Sequence, residues 1–82
     1  MKKQMTSLSG IPIVVDTSEE LCSEFGFKPH DRVSYTLLNA KGEVAGVTET
    51  FGKPQLCVVL DCDDFVHCFD KQYSDQFIAL VE

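Results

Sequence analysis

The sequence contains no tryptophan, only three prolines and no long hydrophobic segment. A membrane-spanning helix needs about 20 consecutive apolar residues, and no run in this chain approaches that length. The N-terminus carries two lysines but no apolar core behind them, so it does not have the pattern of a signal peptide. These absences favour an intracellular protein, cytoplasmic or nuclear, whose four cysteines are reduced thiols rather than disulfides.

Positive charge is also scarce. Thirteen Asp and Glu residues outnumber seven Lys and Arg residues, which gives a net charge of −6. Proteins that bind nucleic acid gain affinity by neutralising phosphates with clustered basic residues, and the only basic cluster here is Lys2-Lys3. The composition therefore disfavours nucleic acids and anionic membranes as partners. It favours a cationic partner, such as a basic peptide or a methylated basic side chain.

The apolar residues that the chain does contain are sufficient for one small core. Of the 82 residues 44% are hydrophobic, including six Phe and two Tyr, which predicts a single domain with aromatic side chains in its core. Residues 1–9 are polar and without periodicity, and they are predicted to form a flexible leader to a domain of residues 10–82. The chain ends one residue after its last apolar position, Val81, which indicates a trimmed chain or one of several tandem domains in a longer protein.

Alternating apolar and polar residues predict a mainly β fold. Turn-forming residues separate five expected strands, at residues 11–15, 32–38, 43–51, 56–60 and 65–69. A hairpin turn at 39–42 joins the second and third strands, and Gly46 inside the third predicts a β-bulge. The fourth strand is apolar on both faces, which predicts a central strand covered on each side. Residues 77–81 are predicted to form a last strand, with a C-terminal helical turn as the alternative.

One short helix is expected after the first of these strands. Thr17 and Glu20 have the spacing of a capping box at a helix start, and Gly26 is typical of the left-handed residue that follows a helix. The helix is only about two turns long, so packing rather than intrinsic propensity has to stabilise it. The predicted core combines apolar side chains from the strands and this helix: Ile13, Val15, Leu21, Phe25, Val33, Val47, Val58 and Leu60.

Three short motifs resemble those of SH3-like β-barrels of the tudor and KOW type. The first is a Gly-x-x-x-x-Asp-x-Val entry, which is matched by Gly26, Asp31 and Val33. The second is a Gly-x-Val-x-Gly-Val hairpin, which is matched by Gly42, Val44, Gly46 and Val47. The third is a strand ending in Val-x-Leu/Phe-Asp, which is matched by Val58, Leu60 and Asp61. The chain also resembles repeat modules of large protist proteins, in which a Val-Asp-Thr-Ser segment leads into the barrel. The resemblance spans residues 10–69 and implies an antiparallel barrel of five to six strands, with one short helix between strands 1 and 2.

The sequence departs from these families in three ways. It lacks the basic surface of nucleic-acid-binding KOW barrels, and it lacks the acidic-aromatic motif and tryptophan pair of polyproline-binding SH3 domains. The predicted turn at 39–42 also lacks the aromatic residue that many tudor modules place at a methyl-lysine cage. Small size, no recognisable catalytic constellation and an available edge strand, expected at Ile11–Val15, predict a protein-interaction or scaffold module that either binds a peptide or packs against neighbouring domains.

The candidate ligand site is the acidic turn that follows the fourth predicted strand. Three carboxylates occur there within four residues, and carboxylates and aromatic faces both attract cations. The sequence predicts that a cationic ligand docks at this turn, on Tyr35, Asp61, Asp63, Asp64 and Phe65, with Phe51 as a further aromatic candidate. The competing interpretation is that the aromatic residues fill the barrel interior.

A zinc-dependent or thiol-dependent activity at Cys62, His67 and Cys68 is the alternative function, and Cys57 completes the only set of soft ligands that could be tested for zinc. No Cys-x-x-Cys pair accompanies these residues, and neighbouring side chains on a strand point to opposite faces. Buried, inert cysteines are the competing interpretation. No nucleophile with an orienting partner can be recognised, so the sequence predicts a protein that is not an enzyme and uses no cofactor.

Overall fold

The structure is a computed structural model, and it describes residues 2–7, 9–50, 52–62 and 64–81. The described chain is 53% strand and 16% helix. The elements follow in the order β1 (Lys2–Thr6), β2 (Pro12–Asp16), α1 (Glu19–Ser23), β3 (Arg32–Tyr35), β4 (Ala40–Thr50), β5 (Lys53–Leu60), β6 (Val66–Phe69), α2 (Lys71–Phe77) and β7 (Ile78–Leu80). Neither helix in these ranges has the length or the apolar character needed to cross a bilayer.

The strands form one antiparallel sheet that is not closed. Along one path the strand order is β1-β2-β4-β3-β7. Strand β5 pairs with the opposite edge of β4, and β6 pairs with β5. The long strand β4 pairs with β3 over residues 40–43 and with β2 at Val47. Its register with β5 shifts between Val44 and Gly46, so the bulge predicted at Gly46 is confirmed. The sequence was therefore sufficient to predict a mainly β fold with its bend in the correct strand.

Strand β5 lies between two apolar clusters. Leu56 and Val58 are fully buried in the larger cluster, which includes side chains from both helices, whereas Cys57 points to the other face and packs with Val15 and Val66 in the smaller one. The prediction of a central strand covered on both sides is confirmed. Most of the predicted core is buried, namely Val15, Phe25, Val33, Val47, Val58 and Leu60, while Ile13 and Leu21 are only partly buried.

Local capping explains why α1 begins and ends where it does. Ser18, rather than the expected Thr17, is the N-cap: its hydroxyl accepts a hydrogen bond from the backbone N–H of Leu21 at 3.4 Å. At the other end the N–H of Gly26 donates to the Ser23 carbonyl and the N–H of Phe27 to the Cys22 carbonyl. This is the Schellman arrangement, with Gly26 in the left-handed conformation that the sequence predicted.

The first hairpin differs from the sequence expectation. The turn lies at residues 36–39 rather than 39–42, so β3 stops at Tyr35 and β4 begins at Ala40. Asn39 has a φ of 52°, in the left-handed region that Asn tolerates better than most residues. Alternation alone did not locate the turn because Leu37 and Leu38 continue the apolar pattern, although both are exposed.

Both ends of the chain also differ from expectation. Residues 2–6, which the sequence assigned to a flexible leader, form β1 and pair with β2 from Lys2–Asp16 to Thr6–Pro12. The prediction of an edge strand at 11–15 is therefore wrong, because β2 lies between β1 and β4. A polar sequence is compatible with this strand because its backbone supplies the pairing, while Met5 alone packs against the smaller cluster. Near the C-terminus the strand predicted at 77–81 is present as β7, but the helix α2, which the sequence did not predict, occupies residues 71–77 directly before it.

Candidate functional site

The predicted acidic turn lies at the surface, but part of its charge is paired. Asp61 accepts two hydrogen bonds from the Arg32 guanidinium, with Nη1–Oδ1 at 3.1 Å and Nη2–Oδ2 at 2.5 Å. These hydrogen bonds hold the pKa of the Asp61 carboxyl below its usual range and raise the pKa of Arg32. Arg32 comes from β3, so local sequence around the turn could not reveal this pairing. Asp63 and Phe51 lie outside the described residues.

The other predicted site residues separate into two environments. Asp64 is exposed with a left-handed backbone, φ 59°, and the neighbouring Phe65 is 38% exposed. Tyr35 is instead 7% exposed, and its ring lies edge-on to Phe69 with centroids 5.0 Å apart. Its hydroxyl forms a hydrogen bond with the hydroxyl of Tyr73. The structure therefore keeps Asp61, Asp64 and Phe65 at the surface and places Tyr35 in the aromatic part of the core.

The environment of Tyr35 predicts a pH dependence of stability. Burial, followed by the hydrogen bond with Tyr73, raises the pKa of Tyr35 from 10.0 to about 12. Because the unfolded chain ionises this phenol at the lower pH, its contribution to stability is complete below pH 10 and is lost as the pH rises towards 12. We expect urea unfolding of the wild type to show this loss, and Tyr35→Phe to reduce it. A phenolate absorbance titration that is complete near pH 10 in the folded protein would contradict the expectation.

A groove lies between β2 and the second half of β4. It encloses about 460 Å³, and ligand sites typically measure about 300–1,000 Å³. Its walls are mainly apolar: Ile13 and Val14 from β2, Leu21 from α1, Val47 from β4 and Pro54 from β5. A groove of this size and lining can accept one large apolar side chain together with its neighbouring backbone.

The bulge in β4 explains where the groove forms. β2 and β4 are paired at one described position, Asp16–Val47, next to Gly46. A Cβ atom on Gly46 would lie 2.3 Å from the carbonyl oxygen of Asp16, so only glycine permits this close approach. One residue beyond the pair, the Thr48 hydroxyl donates to the Val14 carbonyl at 2.8 Å and connects the two strands across the groove floor.

Charged side chains lie around the apolar part of the groove. Asp16 and Glu49 contribute carboxylates, and Lys2 of β1 contributes one ammonium group. The Asp16 carboxylate also accepts the backbone N–H of Ser18 at 3.0 Å, which connects the groove to the start of α1. Two negative groups against one positive group give the groove an acidic character, in keeping with the net charge of the chain.

Sequence reasoning missed this groove because its walls come from five elements, β1, β2, α1, β4 and β5. One local signal was present. In β2 the residues Ile13 and Val15 point to the smaller cluster, so Val14 between them is apolar on the outer face. Val14 is 56% exposed, so it contributes apolar surface to the outer face of the sheet beside the groove.

The residues of the alternative metal or thiol site do not share one location. Cys62 is exposed in the turn after β5, whereas the His67 ring stacks on Phe69 with centroids 6.5 Å apart. Cys68 points to the other face of β6, where its sulfur lies 3.6 Å from that of Cys57. Within the described ranges, no group of three or more His, Cys, Asp and Glu residues is arranged to hold a metal ion.

No known protein family matches the chain, and a comparison with curated proteins finds no relative.

Proposed function

We propose that this domain is a non-catalytic protein-interaction module that binds a basic peptide in the groove between β2 and β4. The observation that carries the proposal is the combination of an apolar cavity of about 460 Å³ with the carboxylates of Asp16 and Glu49. The acidic composition of the whole chain supports a cationic partner. An intracellular location and tandem neighbours in a longer protein remain predictions from the sequence.

The preferred peptide has an apolar residue next to a Lys or Arg residue. The apolar side chain contacts Val14 and Val47, and the cationic neighbour approaches the carboxylate of Glu49. Charges around a binding site mainly change the association rate and the salt dependence, whereas the buried apolar contact supplies most of the affinity. The groove is a better candidate than the acidic turn because the Asp61 carboxylate is already paired with Arg32 and the Tyr35 ring is buried.

An SH3-like barrel of the tudor or KOW type remains our prediction for the fold family. The helix expected between its first two strands corresponds to α1, which follows the second strand because β1 precedes β2. An isolated parallel bridge between Ser7 and Val66 supports the barrel prediction, because it brings the end of β1 beside the start of β6. Small barrels of this kind host many recognition functions, so the fold by itself does not identify the peptide.

The peptide proposal predicts a localised and salt-sensitive NMR response. Titration of ¹⁵N-labelled protein with an array of basic and methylated peptides, each carrying one large apolar residue, should shift the amides of Val14, Val47 and Glu49. The shifts should weaken at high salt because exposed charges are screened. Glu49→Gln should reduce the affinity by up to about fivefold, the size expected for one exposed ion pair.

Asp64→Asn is the matched control, because it also removes one exposed carboxylate but lies in the acidic turn. We expect this variant to bind like the wild type. Shifts centred on Asp64 and Phe65, with affinity lost in Asp64→Asn rather than Glu49→Gln, would transfer the site to the acidic turn. If none of the peptides binds at low salt, the proposed function is wrong.

A further inference from the structure

Two cysteines that take no part in the proposed peptide site face each other across β5 and β6. Cys57 and Cys68 are register partners in this antiparallel pair, so their side chains lie on the same face of the sheet. Their sulfur atoms are 3.6 Å apart, and the thiols pack in the smaller cluster with Val15 and Val66. The two thiols are therefore in direct contact while both are reduced.

The backbone geometry of this pair suits a covalent link. Directly opposed residues of an antiparallel ladder have Cα atoms about 4.5–5.5 Å apart, within the range of about 4.4–6.8 Å that disulfides span. Rotation of the Cys57 and Cys68 side chains is then sufficient to bring the sulfurs to bonding distance. The register that places them opposite each other also includes Val58–His67 and Leu56–Phe69, so neither strand has to slide.

We propose that Cys57 and Cys68 are a dithiol modification site, which a small-molecule disulfide of the glutathione type converts into an intramolecular disulfide. This inference is independent of the peptide groove. It also differs from the metal site predicted from sequence, because it uses Cys57 and Cys68 as a redox dithiol and needs neither Cys62 nor His67.

The exposure of the two thiols indicates which of them reacts with the oxidant first. Cys57 is fully buried, whereas Cys68 is partly exposed and can be reached by an oxidant. The hydrogen bond between the two thiols lowers the pKa of Cys68, whereas the same contact and burial raise the pKa of Cys57. Since the thiolate is the nucleophile in disulfide exchange, Cys68 attacks the oxidant and Cys57 resolves the product.

The chemistry balances in two steps. The Cys68 thiolate attacks one sulfur of the oxidant, forms a mixed disulfide and releases the first small thiolate. The Cys57 thiol gives its proton to that released thiolate, and its sulfur then attacks the sulfur of Cys68 and releases the second thiolate. Two protein thiols are oxidised to one disulfide, and the oxidant is reduced to two thiol equivalents.

The test uses the reduced full chain and oxidised glutathione. After incubation and alkylation under denaturing conditions, the intact mass should correspond to the loss of two hydrogen atoms and the gain of two alkyl groups, with no glutathione on Cys57 or Cys68. Non-reducing peptide mapping should find Cys57 joined to Cys68, while Cys22 and Cys62 remain alkylated. Cys62→Ser is the matched control, because Cys62 is exposed, and it should react as the wild type does.

Cys57→Ala separates the two steps. This variant should stop at the mixed disulfide and retain one glutathione on Cys68, whereas Cys68→Ala should leave Cys57 unmodified. If Cys57→Ala does not fold, the peptide map of the wild type still decides the question. A disulfide between Cys62 and another protein cysteine, a covalent dimer, glutathione retained on Cys68 of the wild type, or four unreacted thiols would each overturn the proposal.

Discussion

Replacement of Phe69 by alanine is expected to destabilise the domain by about 4 kcal/mol. Phe69 is 7% exposed, its ring is stacked on Tyr73 with centroids 5.5 Å apart, and it meets Tyr35 edge-on at 5.0 Å. Alanine would remove both ring contacts and leave a cavity at the point where β6 meets α2. Because small domains are stable by only about 5–15 kcal/mol, this loss should move the urea unfolding midpoint strongly.

Phe65→Ala is the matched control, since the same atoms are removed four positions earlier in the chain. Phe65 is 38% exposed, so its truncation should cost about 1 kcal/mol or less. The comparison is valid if both variants keep the slope of the wild-type urea curve, which reports the surface exposed on unfolding. Equal midpoints for the two variants would show that the aromatic cluster is not packed as the structure describes.

The central strands could be predicted from the sequence because their signals are local. Alternation in β4, the apolar run in β5 and the bulge at Gly46 depend on neighbouring residues alone. The same local reasoning found the buried positions Val33 and Val58. It failed for β1, because Lys2–Thr6 has no apolar pattern and becomes a strand through backbone pairing with β2.

The missed helix had a recognisable signal. Asp70 caps α2 by accepting the N–H of Tyr73 at 2.7 Å, and Tyr73 and Phe77 have the spacing of one helix face. The apolar run that begins at Phe77 concealed it, because the run favours a strand and the strand follows the helix directly. The helix signal and the strand signal overlapped at Phe77, and packing of the Tyr73 and Phe77 rings determined where the helix ends and the strand begins.

The chemistry-bearing contacts could not be predicted from local sequence. The Arg32–Asp61 pair joins residues 29 positions apart, and the Cys57–Cys68 contact depends on how the turn after β5 sets the register of β6. Both are consequences of strand pairing rather than of motif spacing. The candidate site therefore moved from the acidic turn to the groove once long-range contacts were known.

Gly46→Ala tests the contact that shapes this groove, and we expect a loss of about 3 kcal/mol. Gly46 has a φ of 153°, and an added Cβ would lie 2.3 Å from the Asp16 carbonyl oxygen and 2.7 Å from Cγ1 of Val15. The first of these atoms belongs to the backbone, so rotation of a side chain cannot relieve the clash. β2 would have to move away from β4, which would lower the stability of the domain and widen the groove.

Gly10→Ala separates this clash from the cost of a positive φ. Gly10 has a φ of 84°, but a Cβ there would meet no atom within 4 Å, so alanine should cost only about 1 kcal/mol.

Urea unfolding of both variants gives the comparison, and amide shifts of Asp16 and Val47 report whether the two strands have separated. If Gly46→Ala costs no more than Gly10→Ala and those amides do not shift, β2 does not contact β4 closely and the groove is wider than described. A larger loss with local shifts at the Asp16–Val47 pair is the expected result, because that pair is where the close approach of the two strands excludes a side chain.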